Sequence, residues 1–110
     1  EKWYQNVDKD KFDKIILLSN MGFDNDEEIA EQVDFIDIII GGHTQNEFHK
    51  PKDINRTIIL QAGNNGKYIG ELEIEIIDKQ IKSYSGKLIP VKLETKDDAP
   101  ILKILNEWIN

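Results

Sequence analysis

No cysteine occurs among the 110 residues. The chain therefore makes no disulfide, offers no thiolate to a metal and carries no cysteine nucleophile, while its compartment stays open on this ground. No apolar stretch approaches the roughly 20 residues that a membrane-spanning helix requires. Positive charge is in short supply: 14 Lys and Arg stand against 21 Asp and Glu, a net charge of −7. The lysines are scattered (Lys9, Lys11, Lys14, Lys50, Lys52, Lys79, Lys82) and build no basic face, so a nucleic-acid polymer is not an expected partner. Internal repeats and low-complexity tracts are also absent. The opening Glu1-Lys2-Trp3-Tyr4 is neither an initiator methionine nor a signal peptide, which suggests a processed chain or an excised piece of a longer polypeptide. The length suffices for one domain, taken as residues 1–110, with one hydrophobic core.

What the chain does contain is a series of short apolar runs. Residues 1–13 are polar with a few aromatics (Trp3, Tyr4, Phe12) and read as a helix tail or a loop. Lys14-Ile15-Ile16-Leu17-Leu18-Ser19 lacks alternation, the mark of a strand buried on both faces in a parallel sheet. Asp24-Asn25-Asp26-Glu27-Glu28 then opens a helix, with Asp or Asn capping its free N–H groups and the acids favouring its positive end. Ile29, Ala30 and Val33 give that helix an apolar side, and Asp34 marks its end. A second buried run, Phe35-Ile36-Asp37-Ile38-Ile39-Ile40, stops at Gly41-Gly42-His43. Strand, helix, strand makes a βαβ unit, so Asn20 and His43 fall together at the carboxyl ends of neighbouring strands, where open α/β sheets build their sites.

Residues 46–56 form a polar loop containing Pro51. The run 57–62 is a third buried strand, ending in Gly63-Asn64-Asn65-Gly66. From Glu71 the period becomes two, with Leu72, Ile74 and Ile76 on one side and Glu71, Glu73 and Glu75 on the other, as in an antiparallel strand with one wet face. Asp78-Lys79-Gln80 turns into 81–84. A further strand spans 88–93, where Pro90 calls for an edge or bulge because it lacks a donor. Asp97-Asp98-Ala99-Pro100 opens a last helix with an apolar stripe of Ile101, Leu105, Trp108 and Ile109, cut off in mid-pattern at Asn110. The fold class is α/β: a βαβ unit with parallel strands, then antiparallel strands and a C-terminal helix.

The residues best placed for chemistry are His43 and Gln45, two apart at a strand end, after glycines that let backbone approach an ion. Imidazole nitrogen and amide oxygen suit Zn, Mn or a similar divalent ion. On residue chemistry alone, a single histidine after Gly-Gly is more often structural than a ligand. Four blocks taken together alter that balance: Ile16-Leu17-Leu18-Ser19-Asn20-Met21-Gly22, then Ile36–Gln45, then Thr57–Ile76, then Leu88–Val91. Over about residues 13–93, in order and spacing, they resemble the metallophosphoesterase domain of the 5′-nucleotidase family, which includes UDP-sugar hydrolases and 2′,3′-cyclic-nucleotide phosphodiesterases. The resemblance implies half of a calcineurin-like two-sheet sandwich and metal-dependent hydrolysis of nucleotide phosphate esters. It also implies two divalent ions in the intact domain, a nucleotide substrate, and export to the periplasm or cell surface.

Carried over residue by residue, the resemblance makes His43 and Gln45 metal ligands. The family's first block usually holds a histidine where this chain has Asn20, whose amide oxygen is a poorer zinc ligand, so that position is weak or vacant. The family's other ligands lie in an N-terminal half with Asp-x-His, Gly-Asp and Gly-Asn-His motifs, none of which occurs here. The expectation is a C-terminal portion of the domain with no catalytic residue of its own, inactive alone. A two-metal centre needs ions about 3.5–4 Å apart, which this donor set cannot hold by itself. The competing expectation is a non-catalytic α/β binding or structural module derived from the family. Without the other half, the inner sheet face should leave Ile15, Leu17, Ile38, Ile40 or their neighbours uncovered, favouring self-association or a swapped dimer.

Other patterns carry less. Gly63–Gly70 lacks the spacing of either nucleotide fingerprint and reads as a structural turn near the site. Asp24, Asp26 and Glu28 imitate a calcium loop, yet Ile29 stands where that loop needs glycine. His49 reads as a solvated side chain and the Glu71, Glu73, Glu75 row as a wet strand face. Asn55-Arg56-Thr57 fits an N-glycosylation acceptor, a pattern frequent by chance. No serine stands in a nucleophile elbow.

Overall fold

The computed structural model describes Gln5 and residues 8–109. Trp3, Tyr4 and Asn110 lie outside the described residues, and with them part of the opening segment read as helix tail or loop. A 3-10 turn, Lys9–Lys11, leads into β1 (Ile16–Leu18), α1 (Phe23–Gln32) and β2 (Ile38–Ile40). Then follow β3 (Lys52–Ile54), β4 (Thr57–Leu60), β5 (Tyr68–Ile77), β6 (Gln80–Pro90) and α2 (Ala99–Ile109). The first four strands form one sheet in the order β1-β2-β4-β3. β1, β2 and β4 run parallel, with Leu17 opposite Ile39 and Ile39 opposite Ile59. β3 joins the far edge antiparallel. β5 and β6 pair with each other as a second sheet.

The apolar runs become strands because both faces of the parallel sheet are supplied with cover. On one face Leu17, Ile39 and Ile59 meet α1 through Ala30, Phe23 and Ile29, with Ile36 and Ile54 at the margin. On the other, Ile38 and Ile58 are buried beneath the β5–β6 hairpin. Between sheet and hairpin an apolar cleft of about 390 Å³ remains, lined by Ile16, Ile40, Leu60, Leu72, Ile74 and Leu88. Side chains of one strand point alternately to the two faces, so the parity decides which residues are covered. Leu17 and Ile38, expected among the uncovered residues, are packed, whereas Ile16 and Leu18 are more than half exposed and Ile40 nearly half.

Three local expectations are corrected. The loop 46–56 contains β3, which the polar Lys52-Asp53 pair disguises, and Asn55 and Arg56 turn it into β4 with positive φ of 49° and 68°. β6 is one strand from Gln80 to Pro90, not two segments; Gly86 opposite Leu72 continues the ladder. Pro90 closes that strand opposite Tyr68, so its missing N–H costs no interior bond. α1 is not capped by an Asp or Asn side chain: Gly22 holds the N-cap with φ 90°, and the first helical N–H, of Phe23, donates to Thr44 Oγ1 at 3.1 Å. α2 does begin as expected, with Ile101 N donating to Asp98 Oδ1 at 3.1 Å.

Candidate metal-binding rim

Two backbone bonds carry the parallel pairing one step past the strand ends. Ser19 N donates to Ile40 O at 2.9 Å and Gly41 N to Leu60 O at 2.8 Å. Asn20, Gly42 and Gln61 thereby start three loops from one edge of the sheet. Asn20 Oδ1 lies 3.3 Å from the point where a Cβ on Gly42 would stand. A Cβ on Gly22 would lie 3.0 Å from Thr44 Cγ2 and 3.6 Å from His43 Cδ2. The loop after β1 and the loop after β2 are therefore in contact. Asn20, His43 and Gln45 occupy a common, solvent-exposed rim.

The loop that bears the histidine has an uncommon backbone. Thr44 N donates to Gly42 O at 2.9 Å, closing a three-residue turn about His43, whose φ is 70°. That sign of φ is the strained hand for such a turn. Gln45 is also left-handed, with φ 59°. Inward of the loop, Gln61 is 3 % exposed and bonded at both ends of its amide. Oε1 accepts from Asn46 N at 2.9 Å and from the Thr44 hydroxyl at 3.2 Å. Nε2 donates to Thr44 Oγ1 at 3.1 Å and to Gly42 O at 3.3 Å. Asn64, in the turn after β4, donates through Nδ2 to Gln45 Oε1 at 2.7 Å. Gly63, Asn65 and Gly66 in that turn all have positive φ, and Asn64 links it to the rim.

Sequence reasoning passed over Gln61 and Asp26. Asp26 is fully buried, and neither of its carboxylate oxygens has a hydrogen-bond partner. A Cβ on Gly41 would overlap Asp26 Oδ2 and stand 3.0 Å from Gln61 Nε2, so the first glycine of the pair makes room for two buried polar groups. Both had signals. Asp26 and Ala30 are four apart, which puts them on one helix face, and Gln61 sits between apolar residues in an otherwise buried run. The calcium-loop imitation fails on position as well as pattern, because Asp26 faces the core while Asp24 and Glu28 are exposed.

The other candidates stay apart from the rim's chemistry. His49 is mostly exposed, 4.0 Å from Glu47 Oε2 and edge-on to Tyr68. Asn55 spends its amide on Ala30 O at 3.1 Å and Thr57 is 1 % exposed, so the glycosylation pattern is built into the fold. The glutamate row is engaged on the hairpin surface: Glu71 pairs with Lys87 at 2.8 Å and Glu75 accepts from Ser83 at 2.9 Å. The Glu71 bond and charge raise the pKa of Lys87.

As a donor set, the rim offers one imidazole and amide oxygens, with no carboxylate among them. Among the described residues no cluster of three or more His, Cys, Asp or Glu side chains could hold a metal ion. The residues fit one side of a divalent-ion site: Gly42, having no side chain, leaves Asn20 Oδ1 its place beside the histidine loop, and Gln45 keeps a second lone pair beyond its bond to Asn64.

Comparison with known proteins puts this geometry in a family. No family model matches the chain. A rat 5′-nucleotidase is 33 % identical over 115 residues, covering 86 % of this chain and 20 % of the relative. The trifunctional nucleotide phosphoesterase YfkN of Bacillus subtilis is 29 % identical over 94 % of this chain and 8 % of its own length. A metallophosphoesterase of that organism, YunD, is 29 % identical over 90 % of this chain and 22 % of its own. The chain thus spans about a fifth or less of these relatives. In fold it matches a Thermus thermophilus sulfate thiohydrolase, SoxB, with a TM-score of 0.81 at 24 % identity, over 97 % of this chain and 20 % of that one. Sequence relatives and fold agree: the chain belongs to the metallophosphoesterase/5′-nucleotidase family.

Proposed function

We propose that the chain supplies one side of the metal centre of a phosphoesterase acting on nucleotides. His43 and Gln45 serve as ligands and Asn20 as a weak third. The observation that carries this reading is the meeting of these three residues on one rim, at the carboxyl ends of parallel strands, in a chain related to 5′-nucleotidases and nucleotide phosphoesterases. A bound divalent ion of the Zn or Mn kind supplies charge stabilisation to a phosphate and acidifies a coordinated water. This chain's residues hold and orient: His43 through imidazole nitrogen, Gln45 through an amide oxygen that Asn64 steadies at 2.7 Å. The remaining ligands come from polypeptide outside these 110 residues, so the chain alone is inactive and 1–110 is one portion of a domain. The uncovered apolar face of β1 and β2 is where that polypeptide packs. In its absence a second copy covers the same face. Location outside the cytoplasm accompanies the reading by analogy with the family.

Calorimetric titration of Mn²⁺ or Zn²⁺ into the chain tests the centre. Binding near micromolar (about −8 kcal/mol) that vanishes in His43→Ala is the expected result. A flat titration of the unaltered chain favours the second reading, a non-catalytic module of the same family. The absence of any acidic or histidine cluster among the described residues is the observation that speaks for that alternative.

A further inference from the structure

His43 and Gln45 both sit in left-handed backbone, with φ of 70° and 59°. For residues other than glycine this conformation is unfavourable, so something must hold it. Backbone bonding between loop members does not suffice: within residues 42–46 it amounts to Thr44 N donating to Gly42 O. The bonds of Gln61 fall on Gly42, Thr44 and Asn46, the residues on either side of His43 and of Gln45. Each left-handed residue is thereby clamped between two neighbours fixed to one rigid amide. Thr44 Oγ1 passes the constraint on to α1, since it also accepts from Phe23 N at 3.1 Å.

Burial sharpens the case. An amide only 3 % exposed among apolar strand residues is unfavourable unless its donors and acceptors are matched, and an aliphatic side chain would fill the same space without that demand. Among the described residues, every hydrogen bond of the Gln61 amide goes to the loop and none to the sheet. Gly41 is kept free of a side chain at the point where a Cβ would crowd Nε2 at 3.0 Å. We infer that Gln61 is a positioning residue for the ligand loop, setting the backbone of His43 and Gln45 and thereby the aim of their donor atoms at one ion. The aim at an ion rests on the metal reading above; the hold on the backbone does not.

Gln61→Met keeps the length of the side chain and removes every hydrogen bond. Two readouts are taken together: hydrogen exchange of the Asn46 amide, whose partner is Gln61 Oε1, and Mn²⁺ affinity by calorimetry. The expected result is about 10-fold or greater loss of Asn46 protection and about 10- to 100-fold weaker Mn²⁺ binding, the range typical of residues that orient ligands. Protection at Ile39 and Ile59 in the core should persist. Unchanged Asn46 exchange and unchanged affinity in a folded variant would overturn the inference. If core protection is lost as well, Thr44→Ala, at an exposed position, takes over: it removes the bond in mid-loop and should shift the His43 and Gln45 backbone resonances, and unmoved resonances sink the idea. If the unaltered chain binds no Mn²⁺, the metal reading fails, and Asn46 exchange decides the positioning role by itself.

Discussion

At the scale of single residues, Asn20 and Asp26 make opposite points about polar side chains. Asn20 presents an amide oxygen beside Gly42 where an imidazole would be a stronger partner for zinc. Asn20→His should therefore tighten Zn²⁺ binding about 10-fold or more, a size typical of changes in the ligand environment; calorimetry on the two chains checks it. Asp26 is a buried carboxyl group with no hydrogen-bond partner among the described residues. Its place in the first turn of α1, at the positive end of the helix, offsets only part of the burial cost. Asp26→Asn keeps the shape and removes the ionisable group, so it should stabilise by about 1 kcal/mol and raise Tm by several degrees. An unchanged or lower Tm would mean that the carboxylate does have a partner in solution. The spacing of Asp26 and Ala30 signals the inward side of the helix, while the lack of a partner shows only in the fold.

Among elements, the hairpin is the informative one. Glycine in a strand is ordinarily a weakness, so Gly86→Ala would improve β6 if the hairpin stood free. Docked, the same Cβ would lie 2.5 Å from Pro51 Cγ and 2.9 Å from Pro51 Cδ. The contact decides the sign, and Gly86→Ala should destabilise by about 1–3 kcal/mol in denaturant unfolding. A second tie is Tyr84, whose hydroxyl donates to Asp53 Oδ2 on β3 at 3.1 Å. Burial, followed by the hydrogen bond and charge of Asp53, raises the tyrosine pKa above its usual 10.0. A raised value favours the protonated form in the folded state. That share of stability is complete below the unfolded pKa and is lost as pH rises through the folded one. Unfolding measured from pH 8 upward should show a decline beginning near pH 10 that Tyr84→Phe removes; an identical decline in the variant would count against the tie. The alternation from Glu71 to Ile76 is enough to mark a half-wet strand, because it is a property of neighbours in the chain. The docking of Gly86 on Pro51 pairs residues 35 apart, and no local pattern encodes it.

For the whole molecule, the radius of gyration of 16.9 Å exceeds the roughly 13 Å of a compact chain of this length. The shape is elongated, with extents of 48 × 29 × 28 Å, and two apolar surfaces stand open to solvent. Ile16, Leu18 and Ile40 leave the sheet face open, with Leu18 76 % exposed. α2 displays Ile101, Leu105, Trp108 and Ile109 to solvent, Trp108 at 85 %. Such patches on a free chain favour association. Light scattering at high concentration should report dimers or larger species, and Leu18→Asp should shift them toward monomer with little loss of Tm, because the residue is already outside. A monomer at every concentration would sink this prediction. Among the described residues, no helix is long and apolar enough to cross a membrane.

The sequence by itself determined the order of the elements, the parallel β1–β2 pair, the family, and the convergence of Asn20, His43 and Gln45 at one strand edge. The family rests on the resemblance of four residue blocks, and the rest on unbroken apolar runs and the rule that parallel neighbours end on the same side. Tertiary structure alone decided which parity of each strand is covered, that β3 exists, and that the histidine loop hangs from Gln61. The parity depends on the hairpin lying over Ile38, and the hold of Gln61 on Thr44 and Asn46 coming within its reach, whereas β3 forms by pairing with its neighbour β4 across the Asn55-Arg56 turn. A local pattern reports what a residue prefers, and only contact across the fold reports what it is bonded to.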